Sequence, residues 1–242
     1  MSYAVQQKKM GVLITGEPGT GKTFVSRVLK EMCGKDKCFF IYIINPRLTP
    51  IEFIKEIHYQ LGGSIETTTH YTKMDYLRAI QKNLEDCRGR GVYPVVIIDE
   101  AQSIQGDELL EEVRLLLNMQ SDNSVLFTLI LLGQTQLEEK VGKTPQFEQR
   151  LSIRYKLYSL SREEAKEYIE YRLKVAGTTR RIFTDSAYEE IYEFSQGMPR
   201  LINNICDLSL LTGFIKKLQI IDRDVVIQVA HDLGSRKKEE EH

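Results

Sequence analysis

Apolar residues in this chain follow two kinds of pattern, and the kind changes once along its length. In the first part, short unbroken apolar runs alternate with segments of helical period. Val12 to Thr15 reads as a buried strand, "CFFIYII" (Cys38 to Ile44) as a second, "VVIIDE" (Val95 to Glu100) as a third and "LFTLILLG" (Leu126 to Gly133) as a fourth. Ile153 to Leu157 alternates weakly and is a candidate fifth. Runs that are apolar on both faces belong inside a parallel sheet. Between them lie predicted helices. Lys22 to Met32 carries a stripe of Phe24, Val25, Val28 and Leu29. Thr49-Pro50 opens a helix through Leu61, with proline at its first position, and Gly62-Gly63 closes it. Two more run from Thr72 to Cys87 and from Asp107 to Met119. This alternation predicts an α/β fold, a three-layer αβα sandwich on a parallel central sheet.

After Leu160 the strand pattern stops. Ser161 with Glu164 forms a capping box, and a helix follows to Ala176 before Gly177. A second starts at Thr184, with Phe183 and Tyr188 spaced as a hydrophobic staple, and ends at Gly197. A third runs from Pro199 to Lys217 and a fourth from Asp222 to about Leu233. The expected organisation is an αβα domain over 1–159, a four-helix domain over 160–234 and a solvated, disordered charged tail, "SRKKEEEH", over 235–242.

Composition narrows the function classes. The 242 residues are 42% hydrophobic and 28% charged, as in a soluble globular protein. With 33 basic and 34 acidic residues the net charge is -1, so no global basic field points to nucleic acid or anionic lipid. Cys33, Cys38, Cys87 and Cys206 are scattered and form no C-x-x-C pair, which fits a reducing cytosol. His58, His70, His231 and His242 share no metal-ligand spacing. The N-terminus has no signal-peptide pattern, and Val125 to Leu132 is too short to cross a bilayer. The expected location is cytoplasmic, without direct membrane insertion.

The first strand runs into "GEPGTGKT" and then a helix, matching G-x-x-x-x-G-K-[ST] in full. Here Gly16, Glu17, Pro18, Gly19, Thr20, Gly21, Lys22, Thr23 and the following Phe24 are the candidate nucleotide-binding stretch. Glycines let several amides point at one anion, and the helix adds its positive end. Lys22 can reach the β- and γ-phosphates, and the Thr23 hydroxyl can ligate Mg²⁺. Asp99 ends an apolar strand, where a carboxylate is normally excluded, and is the second metal candidate. Glu100 can deprotonate an attacking water. Gln134, after the fourth strand, can contact the γ-phosphate or that water. Charge on the transition state calls for arginine, and Arg150, Arg154 and Arg200 all qualify.

The order P-loop, "IIDEAQ", "LLGQTQL", "FEQRLSIRYKL", "YIEYRLKVAG" and "FSQGMPRLINNICDLSLL" resembles the AAA+ ATPases of the ExeA/GspA type, the general secretion pathway A proteins. The likeness runs from about Gly11 to Leu233. It implies a P-loop ATP hydrolase with a C-terminal helical lid and with ATP and Mg²⁺ as ligands. It also implies Gln134 as sensor 1, Arg150 before Arg154 as an arginine finger for a neighbour's site, and Arg200 as sensor 2. Finger and sensor together imply an ATP-dependent homo-oligomer, a ring being one such arrangement, and the family resemblance implies work with an inner-membrane secretion partner. Longer members carry a membrane segment and a peptidoglycan-binding module that this chain lacks, and this chain starts close to its P-loop. The alternative reading is a DNA-associated AAA+ switch, such as a transposition helper or initiator relative. The near-zero net charge and the absence of a basic face on the last helix argue against nucleic acid.

Overall fold

The computed structural model describes residues 1–34, 37–63, 71–121 and 124–239, without the side chains of 235–239. His70, His242 and residues 240–242 of the expected tail lie outside them. Contacts group the chain into two compact units. One holds 1–16 and 22–157; the other holds 17–21 and the chain from Tyr158 onward.

The first unit opens with a short helix that apolar periodicity was too brief to announce, α1 (Ser2–Gln6). There follow β1 (Gly11–Gly16), α2 (Lys22–Cys33), β2 (Cys38–Ile43), α3 (Pro50–Gln60), α4 (Lys73–Gly89) and β3 (Tyr93–Ile98). A 3-10 turn (Ala101–Ser103) leads to α5 (Gly106–Leu116) and the small antiparallel pair β4 (Gln120–Ser121) and β5 (Ser124–Val125). Then come β6 (Thr128–Gly133), α6 (Gln136–Gly142), α7 (Pro145–Glu148) and β7 (Leu151–Leu157). Five strands form one parallel sheet in the order β2-β3-β6-β1-β7.

Strand alternation builds a core on each face. Leu13, Val96, Ile98, Leu129 and Leu131 join α3, α4, α5, α6 and α7 in one cluster. Val12, Ile14, Val95, Ile97, Ile130 and Leu132 join Ala4 and Val5 of α1 and Leu29 of α2 in the other. The expected three-layer sandwich is therefore present. β2 is an edge strand, which explains why its "CFFIYI" is only partly buried despite its apolar run. Its outer edge is occupied by the Gln60 side chain, which accepts from the Tyr42 N–H at 2.9 Å and donates to the Tyr42 carbonyl at 2.8 Å. One side-chain amide bonded to both main-chain groups of a residue mimics a neighbouring strand and blunts the edge.

One stripe expectation is corrected. On α2 the buried residues are Lys22, Ser26 and Leu29, while Phe24 is 66% exposed and Val25 38%. Lys22 is turned inward by its own hydrogen bond, and the i, i+4, i+7 spacing then fixes which face is buried.

In the second unit four helices, α8 (Arg162–Val175), α9 (Asp185–Ser195), α10 (Pro199–Ile215) and α11 (Arg223–Glu239), enclose Ile169, Phe183, Ile191, Ile202, Ile205 and Val226. The Ser161–Glu164 capping box is formed. Thr184 caps α9, and Phe183 and Tyr188 meet with ring centroids 5.8 Å apart, as the staple required. The last helix does not stop near Leu233. Its backbone is helical to Glu239, so residues 235–239 are helix and not a disordered tail.

Candidate active site

Parallel strands end on the same side of their sheet. Because β6 pairs with both β3 and β1, the C-terminal ends of β3, β6 and β1 lie side by side. That edge is where ligands bind in open α/β sheets. It carries Asp99 and Glu100 after β3, Gln134 after β6 and Gly16 at the end of β1.

The turn after β1 uses left-handed backbone at Gly19 (φ 91°) and Gly21 (φ 97°), a region L side chains avoid. The Thr20 N–H and hydroxyl both close on the Glu17 carbonyl, at 3.3 and 2.8 Å. α2 then starts at Lys22, which puts the N-terminal, positive end of a helix directly after the turn, the end that suits an anion. Lys22 is 6% exposed, and its Nζ donates to the Gly16 carbonyl at 2.8 Å. The ammonium is thus held against the end of β1 rather than out in solvent.

The Thr23 hydroxyl donates to Asp99 Oδ2 at 2.6 Å, and the Glu100 N–H donates to Asp99 Oδ1 at 2.9 Å. Asp99 is 8% exposed; its own N–H continues the ladder to the Ile43 carbonyl at 2.9 Å. Both carboxylate oxygens are therefore oriented by fixed donors. A hydroxyl and a carboxylate this close are the hard-oxygen pair that Mg²⁺ accepts beside phosphate and water. Close by, Tyr42 Oη donates to the Ser26 carbonyl at 3.2 Å. Burial is the main cause that lifts this phenol above its ordinary pKa, and the Asp99 charge adds to it while Arg27 opposes.

Glu100 is exposed and left-handed (φ 50°, ψ 36°), an uncommon conformation for a residue with a Cβ. Such strain is characteristic of functional positions. Sequence reasoning missed its neighbour Gln102, quoted in "IIDEAQ" but given no role. Gln102 Nε2 donates to Glu100 Oε2 at 2.5 Å, and Gln102 Oε1 accepts from the Gln134 N–H at 3.0 Å. The missed Lys140 donates to the Gln102 carbonyl at 3.0 Å and also to that of Ile104. Thr15, next to the loop, donates to Glu138 of α6.

Two of the candidate arginines, Arg150 and Arg154, stand apart from this cluster. Arg150 directly precedes β7, so it lies at the N-terminal edge of the parallel sheet, opposite the edge that carries the loop. Its guanidinium reaches Met10 Sδ at 3.5 Å, and a Cβ on Gly11 would lie 2.9 Å from its carbonyl oxygen. Arg154 is exposed and paired with Glu148, Nη1 to Oε1 at 2.5 Å. In the second unit, Arg200 is the second residue of α10, and its N–H donates to the Gly19 carbonyl at 3.4 Å.

Comparison with known proteins agrees with this architecture. A protein-family model described as an AAA domain matches residues 5–141. General secretion pathway protein A of Aeromonas hydrophila is 34% identical over 98% of this chain, and the chain spans 43% of that protein's length. Among solved structures, the ORC2 protein of Aeropyrum pernix superimposes with a TM-score of 0.73 at 16% identity, over 96% of this chain and 65% of that one. Cdc6p from Pyrobaculum aerophilum gives 0.70 at 20% identity, over 87% and 57%. At those identities the structural likeness concerns the fold alone. Together, the P-loop, the sheet order and the family match show that the chain belongs to the AAA domain family, an AAA+ ATPase similar along nearly its whole length to general secretion pathway protein A.

Proposed function

We propose that this ATPase turns over MgATP within a homo-oligomer, and that its cycle drives assembly or remodelling of a protein complex. The observation that carries the reading is the Thr23–Asp99–Glu100 chain of hydrogen bonds beside the buried Lys22. In the reaction, water attacks the γ-phosphorus, the bond to the β,γ-bridging oxygen breaks, and the water proton passes to Glu100. Lys22 and the loop amides neutralise the phosphate oxygens. Thr23 and Asp99 would hold Mg²⁺, which when bound adds positive charge at the β- and γ-phosphates.

Arg150 is proposed as the finger that completes a neighbour's site. A six-residue strand spans roughly 20 Å, which keeps this side chain from its own loop. Arg154 is the weaker choice because Glu148 already engages it. For Arg200 as γ-phosphate sensor, support comes from the resemblance and from its main-chain bond to Gly19. A role in secretion is suggested by the likeness to general secretion pathway protein A, and an inner-membrane partner and a cytoplasmic location rest on the family resemblance of the sequence. Among the described residues no helix is long and apolar enough to cross a membrane.

The deciding experiment measures ATP hydrolysis and sedimentation of the purified chain across protein concentration, with and without Mg²⁺. Turnover that needs Mg²⁺ and rises with assembly supports the proposal. Tight, non-assembling ATP binding without turnover would make the chain a nucleotide-gated module instead. Salt-sensitive duplex-DNA binding that accelerates turnover would redirect the reading to nucleic acid.

A further inference from the structure

Gln102 holds two parts of the site at once. Its Nε2 donates to Glu100 Oε2 at 2.5 Å, and its Oε1 accepts from the Gln134 N–H at 3.0 Å. The 3-10 turn that carries it is itself pinned from α6, where Lys140 bonds the Gln102 and Ile104 carbonyls. Gly133 makes room for it: a Cβ there would lie 2.9 Å from Gln102 Oε1.

Glu100 needs such a partner. It is exposed and sits beyond the end of β3 on left-handed backbone, so no strand neighbour sets the direction of its carboxylate. An exposed glutamate side chain samples many rotamers, and each misaimed one is lost to catalysis. A primary amide suits the task. It donates to one carboxylate oxygen and leaves the other for water, without placing a full positive charge on the base, as lysine or arginine would.

We propose that Gln102 is a positioning residue for hydrolysis. It aims the Glu100 carboxylate and ties that aim to the end of β6, so a shift of the backbone at Gln134 is transmitted to Glu100 through one side chain. This rests on Glu100 being the base.

The test uses two variants of the full chain, assayed as the assembled ATPase with ATP and Mg²⁺. Gln102→Glu is nearly isosteric; it keeps an acceptor for the Gln134 N–H and replaces the donor to Glu100 with a repelling carboxylate. Gln102→Ala removes both contacts. In each, kcat is expected to fall roughly 10- to 100-fold while KM for ATP stays within about twofold. In a Glu100→Gln background, adding either substitution is expected to change the residual rate by less than about twofold, because there is no base left to aim. An unchanged kcat in Gln102→Glu overturns the proposal. So does a further loss of about tenfold in the Glu100→Gln background, or a rise in KM that accounts for the rate loss. Failure of both variants to fold, read by circular dichroism, would make Gln102 structural and overturn it too. The underlying assignment fails separately: near-normal turnover of Glu100→Gln alone removes the base, whatever Gln102 does.

Discussion

Thr23 and Asp99, 76 residues apart, share a hydrogen bond of 2.6 Å. One comes from the start of α2 and the other from the end of β3. The pair exists because β6 seats β3 next but one to β1. If these oxygens receive the metal, Thr23→Ala should lower Mg²⁺-dependent kcat by roughly 100-fold. Thr23→Ser should keep most of the rate. Equal activity of the alanine variant over a range of Mg²⁺ concentrations would remove Thr23 from the metal site.

At Glu100, stability and activity are expected to trade against each other. Its φ of 50° suits glycine better than glutamate. Glu100→Gly should therefore raise unfolding free energy by roughly 0.5 to 1 kcal/mol, since relief of strain outweighs the added freedom of the unfolded chain. The same change should abolish hydrolysis, and Glu100→Gln should slow it by about 10² to 10⁴ while ATP binding is retained. Urea unfolding with parallel turnover assays checks both. A less stable glycine variant would mean that the left-handed backbone carries no strain.

Arg150 and Glu100 should complement each other across subunits. Arg150→Ala and Glu100→Gln are each expected to be nearly inactive alone. Mixed subunits would form some interfaces in which an intact Glu100 faces an intact Arg150, and activity should return to a fraction of wild type. Arg154→Ala should cost less than about tenfold, since its exposed ion pair with Glu148 contributes little. Mixtures as inactive as their components would place Arg150 outside the shared site.

Gly197 makes a close approach in the helical unit. It has φ 71°, its carbonyl accepts from the Leu160 N–H at 2.9 Å, and a Cβ would lie 1.9 Å from the Leu160 carbonyl oxygen. Both obstacles are backbone, so neither can yield by a rotamer change. Gly197→Ala should destabilise that unit by about 3 kcal/mol, measured by denaturant unfolding. A loss under about 1 kcal/mol would show that the turn relaxes easily.

The chain's own pattern determined a good deal. Unbroken apolar runs marked four of the sheet strands and a weak alternation the fifth, and local signals such as Thr49-Pro50, Ser161 with Glu164 and Phe183 with Tyr188 marked helix starts. These are short-range effects, written within a few neighbouring residues. The P-loop, Asp99, Glu100 and Gln134 were legible as separate pieces for the same reason. Tertiary structure decided how the pieces stand together. Strand order is a long-range choice, and it alone brought the ends of β1, β6 and β3 to one edge and sent Arg150 to the other. It left β2 half-exposed, and the inward turn of Lys22 set Phe24 in solvent. The short helices α1, α6 and α7 are too brief to show a period. Gln102 was invisible because its meaning lies in a hydrogen bond to Gln134, 32 residues away just past β6, which no local pattern encodes.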